Sequence, residues 1–393
     1  MGQDDPANPT VRSRRPSCKE TNRLMLTVAV VGSGQLARMM IPPAVALGIE
    51  LRVLAEEAGS SAALAAASVG DYRDLATVAA FAEGADVVTF DHEHVPQEVL
   101  RALLESGLAV RPGADALRYA QDKLAMRARL TELGLPVPEW ASVSSAAELD
   151  AFLAEHGGAA VVKTPLGGYD GKGVRLARSS GDVADWFAAG GPLLAEELVE
   201  YRRELAQLVA RRPSGEIVAW PVVETVQRDG VCVEVIAPAP DSEGRLGGLA
   251  REVAATIARE LDVTGVLAVE LFETTDERIL VNELAMRPHN SGHWSIEGSV
   301  TSQFEQHLRA VLDLPLGSTD LRQPYAVMVN VLGGPEAPAQ RYAAALADQP
   351  DVKLHFYGKS ARPGRKVGHV TAVGDDLDDV VFRARAAAAF FEV

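Results

Sequence analysis

The segment that most restricts the fold is Leu26-Thr-Val-Ala-Val-Val31, which runs straight into Gly32-Ser-Gly34-Gln-Leu-Ala37. A short run of apolar and β-branched residues reads as a buried strand, and the spacing after Gly34 switches to that of a helix. A strand buried on both faces needs cover above and below, so the chain must begin as a parallel sheet with helices packed on it. Leu51 to Ala55, ending at Glu56, and Ala85-Asp-Val-Val-Thr-Phe90 continue the alternation to about Val110. Pro42 and Pro43 fall inside the first helical stretch and should break or kink it.

The same opening loop admits more than one ligand. With Glu56 twenty-two residues beyond Gly34, it satisfies the dinucleotide fingerprint, including an acid placed for a ribose hydroxyl. A turn of this shape also binds other phosphates, or only makes a tight strand-to-helix connection. An oxidoreductase using this loop would leave the remaining motifs unexplained.

Length and charge narrow the classes. A chain of 393 residues with 47% hydrophobic side chains can bury a large core and is expected to divide into two or three domains. Its formal net charge is −16; residues 1–24 carry +2, so the rest carries −18. A surface of that sign repels nucleic-acid backbones and anionic lipid, and an anionic substrate needs a local cationic pocket or a metal. Cys18 and Cys232 show no metal or disulfide spacing and fit a reducing cytosol. No apolar run reaches the roughly 18 to 20 residues of a membrane helix. Residues 1–24, polar and proline-bearing, read as a disordered tail, and Met25 offers an alternative start.

The middle of the chain carries a second glycine loop, Gly167-Gly-Tyr-Asp-Gly-Lys-Gly173, between strand-like Ala159 to Thr164 and Val174 to Ala177. It is not a Walker A loop, because Gly173 stands where Ser or Thr is required. Backbone amides with Lys172 inside and Lys163 just before suit a flap over phosphates; a surface hairpin is the plainer alternative. Ser145 to Glu148 has the pattern of a capping box opening a helix. A helix is expected over 119–133 and another over 247–261, with strands at 205–210, 217–223, 266–272 and 279–284. A turn at 274–277 would pair positions summing to about 551 and set Glu270 nearly opposite Glu283. Like charges opposed on a sheet destabilise it unless a cation lies between them, and magnesium held to phosphate oxygens would serve. One glutamate turned to solvent is the alternative.

Donors then cluster in Arg287-Pro-His-Asn290-Ser-Gly-His293, and four cations fall within Lys359 to Lys366. Only seven of the 38 basic residues are lysines, and five of them, Lys123, Lys163, Lys172, Lys359 and Lys366, lie at or near these motifs. Glu196, Glu197 and Glu204 could accept from an adenine amino group and a ribose, although in isolation each reads as a surface acid. Cys232 is assigned to packing and His156 to a helix end. From about Pro324 short strands alternate with turns, and the helix Asp376 to Phe391 closes the chain.

These strings, with Gly34-Gln-Leu, Asp91-His-Glu-His-Val95, Asn282-Glu283, Ser302-Gln-Phe-Glu-Gln-His-Leu-Arg-Ala310 and Arg362-Pro-Gly-Arg-Lys-Val-Gly-His369, resemble the ATP-grasp superfamily. Within it the chain resembles the 5-(carboxyamino)imidazole ribonucleotide synthases of purine biosynthesis, from Met25 to the C-terminus. The resemblance implies an α/β and α+β multidomain fold: a Rossmann-like pre-ATP-grasp domain (25–118), a lid (119–195), a large ATP-grasp domain (196–323) and a β-rich C-terminal extension packed on it (324–393).

It further implies that Lys123, Lys163, the flap residues Gly168, Tyr169, Asp170, Gly171, Lys172 and Gly173, the hinge Glu196, Glu197, Leu198 and Val199, and Glu204, Gln227, Asn282 and Glu283 bind ATP. Glu270, Glu283 and Asn282 would hold magnesium, for which manganese can substitute. Gly34, Gln35, Glu93, Tyr169, Asp170, Arg287, His289, Asn290, Lys359, Arg365 and Lys366 would bind the ribonucleotide, and Asp170, Lys172, Arg287 and Asn290 would act in catalysis. The implied reaction is ATP-dependent carboxylation of 5-aminoimidazole ribonucleotide with bicarbonate through carboxyphosphate, in a cytoplasmic homodimer. Gln227 stands where some relatives have His, and Met286 where Pro is usual. A formate- or amino-acid-using ATP-grasp enzyme, or a binding protein built on a decayed ligase, is the neighbouring alternative.

Overall fold

The computed structural model describes residues 25–167, 173–242 and 244–392. Among them, the first sheet has the strands β1 (Thr27–Val31), β2 (Glu50–Ala55), β3 (Ala66–Val69) and β4 (Val87–Phe90), in the order β3-β2-β1-β4 and all parallel. Every residue of β1 and β4 is buried, as their apolar and β-branched runs favour in a parallel sheet covered on both faces.

The two prolines do not break the first helix. The helix Gln35–Leu47 continues through Pro42 and Pro43. Each proline removes one donor, yet Leu36, Ala37, Met39, Met40 and Ala44 stay buried on both sides of the pair. Their packing against the sheet outweighs two lost hydrogen bonds, and exposed Pro42 lies on the solvent side.

A second sheet, antiparallel, contains β5 (Trp140–Val143), β6 (Ala160–Lys163), β7 (Val174–Ala177) and β8 (Leu193–Glu197) in the order β5-β8-β6-β7. Lys163 pairs with Val174, and Thr164 N donates to Gly173 O at 3.0 Å, so the glycine loop spans one hairpin. The helix Ala146–Glu155 begins at Ser145, whose Oγ accepts from Glu148 N at 3.3 Å; the Glu148 carboxylate closes on Ser144 N at 2.7 Å, one residue short of a full capping box. His156 is the C-cap of this helix. The expected single helix over 119–133 is two, Ala114–Gln121 and Lys123–Glu132, because Asp122 leaves helical geometry and caps the second through Ala125 N.

The third sheet is antiparallel and runs β14 (Ile279–Ala285), β13 (Gly265–Thr274), β9 (Tyr201–Arg211), β11 (Val223–Arg228), β12 (Val231–Ala237), β15 (Tyr325–Leu332), β17 (Lys366–Gly374), β16 (Lys353–Phe356), with β10 (Ile217–Ala219) added on β9. The last three strands of the chain thus extend the same sheet. The expected strand 217–223 divides into β10 and β11 around buried Trp220 and Pro221, which has no N–H for a ladder. The helices Arg245–Glu260 and Leu377–Ala389 cover the sheet, the latter capped by Asp376. No helix of the described residues is long and apolar enough to cross a membrane.

Candidate active site

The hairpin of β13 and β14 carries the first part of the site. Val269 pairs with Leu284 and Leu271 with Val281, so Glu270 alone faces both Asn282 and Glu283 across a bulge. An extra residue on one strand breaks strict alternation, which lets neighbouring Asn282 and Glu283 both remain half-buried beside Glu270. Burial, then the charges of Glu283 and Glu204, push the Glu270 carboxyl up to about 7, against Lys366 and Lys163. Two carboxylates and an amide oxygen held in this conflict form a hard-oxygen set that suits a divalent cation completed by phosphate and water. Among the described residues no cluster of three or more His, Cys, Asp or Glu forms a self-sufficient metal cage.

Opposite stands Lys163 at the end of β6, buried, its Nζ 2.9 Å from Glu196 Oε2, 3.1 Å from Asn282 Oδ1 and 3.7 Å from Glu283 Oε1. Glu196 is therefore no surface acid. Burial opposes its charge, but Arg127 and Lys163 outweigh burial and hold its carboxyl below the usual range. Arg127, absent from the sequence-based assignments, is fully buried: Nε donates to Glu196, Nη1 to Val281 O at 2.9 Å and Nη2 to Asn282 O at 2.7 Å. One guanidinium so ties β8 to the bulge on β14. Its signal in the sequence is its spacing: Lys123 and Arg127 are four apart on one helix, hence on one face.

Lys123 opens that helix and donates from Nζ to Gly167 O at 3.0 Å, at the foot of the glycine loop; Gly168, Tyr169, Asp170, Gly171 and Lys172 lie outside the described residues. The Glu197 carboxylate accepts from Glu139 N at 3.1 Å, while Leu198 is exposed and Val199 half-buried. Glu204 accepts from Tyr201 Oη at 3.2 Å and from Gln227, and burial raises its carboxyl. Both residues line a cavity of about 210 Å³ with Arg203 and Glu224.

The second part of the site lies where the first sheet meets the third. Glu93 accepts from Arg287 Nε at 2.6 Å and from Met286 N at 3.1 Å, so its carboxylate is committed to holding the arginine. Gln303, buried, grips the backbone of His289 from both sides, accepting from its N–H and donating to its C=O, each at 2.8 Å. His289 Nε2 stands 3.4 Å from Glu270 Oε1, which joins the two parts; burial, then Arg287 and Lys366, push its pKa down to about 3. Asn290 is buried beneath this loop. From the loop between β16 and β17, Lys359 reaches Gln35 and Arg365 donates to Ser360 Oγ at 2.9 Å, and Lys366 at the start of β17 is close enough to bias both Glu270 and His289. Cys232 is buried, as packing requires.

The first glycine loop has a different occupant from the one its fingerprint suggests. Gly34 N donates to Asp91, and a Cβ on Gly32 would lie 1.8 Å from Asp91 Oδ1. The loop is filled by a carboxylate of the chain itself, which repels a pyrophosphate, and Glu56 is paired with Arg73 at 3.3 Å. The dinucleotide reading loses its seat.

Three family models match the chain: a ribonucleotide synthetase preATP-grasp domain over residues 25–121, an ATP-grasp domain over 128–304 and a phosphoribosylaminoimidazole carboxylase C-terminal domain over 326–383. The N5-carboxyaminoimidazole ribonucleotide synthase of Mycobacterium tuberculosis is 52% identical over 386 residues, covering 96% of this chain and 90% of that one. The synthase of Corynebacterium ammoniagenes is 49% identical, covering 93% and 92%. Among solved structures, the Thermus thermophilus synthetase superimposes with a TM-score of 0.84 at 36% identity over 93% of this chain and 99% of that one. The Aspergillus clavatus enzyme, solved with ADP and 5-aminoimidazole ribonucleotide, gives 0.84 at 32% identity over 93% and 98%. With matches of this extent at both levels, the chain belongs to the N5-carboxyaminoimidazole ribonucleotide synthases, ligases of the ATP-grasp superfamily.

Proposed function

We propose that this chain carboxylates 5-aminoimidazole ribonucleotide at the expense of ATP, with the two halves of the site dividing the work. Bicarbonate attacks the γ-phosphoryl group of ATP, giving carboxyphosphate and ADP. The exocyclic amine of the ribonucleotide then attacks the carboxyl carbon, phosphate leaves, and the amine gives up a proton. The observation that carries this reading is Lys163, which lies between Glu196 on one side and Asn282 and Glu283 on the other.

Lys163 and Lys123 meet the phosphates, Glu196 to Val199 line the adenine and Glu204 with Gln227 takes the ribose. Because the Glu196 carboxylate is spent on Arg127 and Lys163, its part is to orient Lys163, and the adenine is left to the hinge backbone. Glu270, Glu283 and Asn282 hold magnesium, or manganese in its place, which when bound neutralises charge on the phosphate oxygens. Arg287, fixed by Glu93, and Lys359, Arg365 and Lys366 face the ribonucleotide and its phosphate; Gly34 and Gln35 border it, and His289 and Asn290 contact it. The flap, residues 168 to 173, closes over the phosphates and excludes water from the labile carboxyphosphate. Asp170 within it orients the amine or accepts its proton, and Lys172 stabilises the transferring phosphoryl group. The reading includes a cytoplasmic homodimer, which sedimentation of the purified chain checks.

The test is ADP release in the presence of ATP, bicarbonate and the ribonucleotide. Release that requires the ribonucleotide supports the reading, and release indifferent to it overturns it.

A further inference from the structure

Asn290 does not stand alone beneath the substrate loop. Its amide forms a reciprocal pair with that of Asn330 on β15: Asn290 Nδ2 donates to Asn330 Oδ1 at 3.1 Å, and Asn330 Nδ2 donates back to Asn290 Oδ1 at 2.7 Å. Asn330 Nδ2 also donates to the carbonyl of Cys232 on β12 at 2.9 Å. The regular ladder between β12 and β15 ends at Glu234 and Val329, so this carbonyl lies just beyond the last strand pair.

A carboxamide has two ends of opposite polarity and similar shape, and left to itself it can present either. Here the choice is forced in sequence. A backbone carbonyl only accepts, so the end of Asn330 that faces Cys232 must be nitrogen. That same nitrogen reaches Asn290 Oδ1, which leaves Asn330 Oδ1 to accept from Asn290 Nδ2. Both amides are buried, Asn290 8% and Asn330 6% exposed, so a reversed amide would set two acceptors against each other at a cost that burial enlarges.

We propose that Asn330 is a positioning residue for the carboxylation: it transmits the polarity of the Cys232 carbonyl to Asn290 and so fixes which end of the Asn290 amide meets the ribonucleotide. This rests on the reading of Asn290 as a ribonucleotide contact. The C-terminal region thereby contributes to the reaction from behind the loop as well as through its half-buried cations Lys359, Arg365 and Lys366. Asn330 touches neither substrate and acts through Asn290 alone.

A double-mutant cycle tests it on the full-length enzyme, with Asn290→Ala, Asn330→Ala and the pair, reading kcat/KM for the ribonucleotide and KM for ATP. Asn330→Ala is expected to lower kcat/KM for the ribonucleotide about tenfold, the scale of one lost buried partner, with KM for ATP unchanged within about twofold. In the Asn290→Ala background the same change should cost less than about twofold further. Asn330→Asp keeps the volume but turns oxygen toward Cys232, and should reproduce the loss if the alanine variant does not fold. Full additivity in the pair, or no effect of either Asn330 variant, overturns the proposal alone. An Asn290→Ala enzyme with unchanged kcat/KM overturns it together with the role of Asn290.

Discussion

Arg127 and Glu196 form an ion pair closed to solvent, their side chains 0% and 4% exposed. The pair spans the helix Lys123–Glu132 and β8, and the same guanidinium reaches the carbonyls of Val281 and Asn282 on β14. A single buried arginine therefore locks the sheet that carries the glycine loop to the strand that carries Asn282 and Glu283. Lys163 stands against the same carboxylate, so its direction depends on the Arg127–Glu196 pair.

Replacing Arg127 should cost far more than replacing a surface arginine. Arg127→Met leaves a buried carboxylate with one cation and two carbonyls without donors, a loss of about 3 to 5 kcal/mol. Chemical denaturation of the ligand-free protein measures it. Arg127→Lys should recover little, since an ammonium cannot reach three acceptors in a plane. Arg127→Met combined with Glu196→Met removes the unpaired carboxylate but not the two unpaired carbonyls, so it should restore part of the stability and leave KM for ATP raised, because Lys163 then lacks its orienting partner. A double variant as unstable as Arg127→Met alone contradicts this account.

The bulge at Glu270 makes opposite demands on stability and function. Glu270→Gln removes one of two like charges set together and should raise the stability of the ligand-free protein by up to about 1 kcal/mol. The same change takes an anionic oxygen from the set proposed to hold magnesium. The stabilisation seen on adding magnesium and ATP, measured as the rise in Tm, should shrink sharply, and synthase activity should fall by about a hundredfold or more. A variant that loses apo stability and keeps the magnesium-dependent rise refutes the assignment.

How much of this was legible varied with the kind of signal. The placing of Glu270 nearly opposite Glu283 follows from where two apolar runs and a turn fall, because a hairpin's register is local, whereas Asn282 comes only from the family resemblance. The expected sum of 551 became 552 and 553 on the two sides of the bulge, an irregularity that periodicity does not encode. Arg127 and Asn330 escaped for a different reason. Asn330 is a polar residue in an apolar strand and Arg127 one of several charged residues on its helix, and their partners, Glu196, Asn290 and Cys232, are distant in sequence, so only the folded chain shows what satisfies them. The prolines do not end the first helix, because tertiary burial of Met39, Met40 and Ala44 overrides the local rule.

His307 gives the fold a definite acid limit. Its Nδ1 accepts from Val266 N at 3.1 Å and its Nε2 lies 2.8 Å from Thr89 Oγ1, so the neutral ring bridges β13 and β4. Burial pushes its pKa down to about 3. The unfolded chain therefore binds the proton first: the contribution is full above about pH 6.5 and is lost as pH falls below it, at about 1.4 kcal/mol per pH unit. Unfolding free energies of wild type and His307→Leu, measured from pH 7 to pH 5, should converge with that slope. A constant difference across the range would show that the ring does not titrate with unfolding.

Gly32 tests whether the opening loop is shaped around Asp91. Its φ is +106°, which side chains avoid, and an added Cβ would stand 1.8 Å from Asp91 Oδ1 and 2.9 Å from His92 Cδ2. Asp91 in turn accepts from Gly34 N, beside Gln35, which holds Lys359. Gly32→Ala should therefore cost at least about 3 kcal/mol, from strain and overlap together, and should raise KM for the ribonucleotide in whatever fraction folds. Adding Asp91→Ala removes the nearest overlap but leaves the strained backbone and takes the acceptor from Gly34 N. Stability should return in part while KM for the ribonucleotide stays high. Recovery of both would mean that Asp91 only fills space, and recovery of neither that the backbone conformation at Gly32 alone sets the cost.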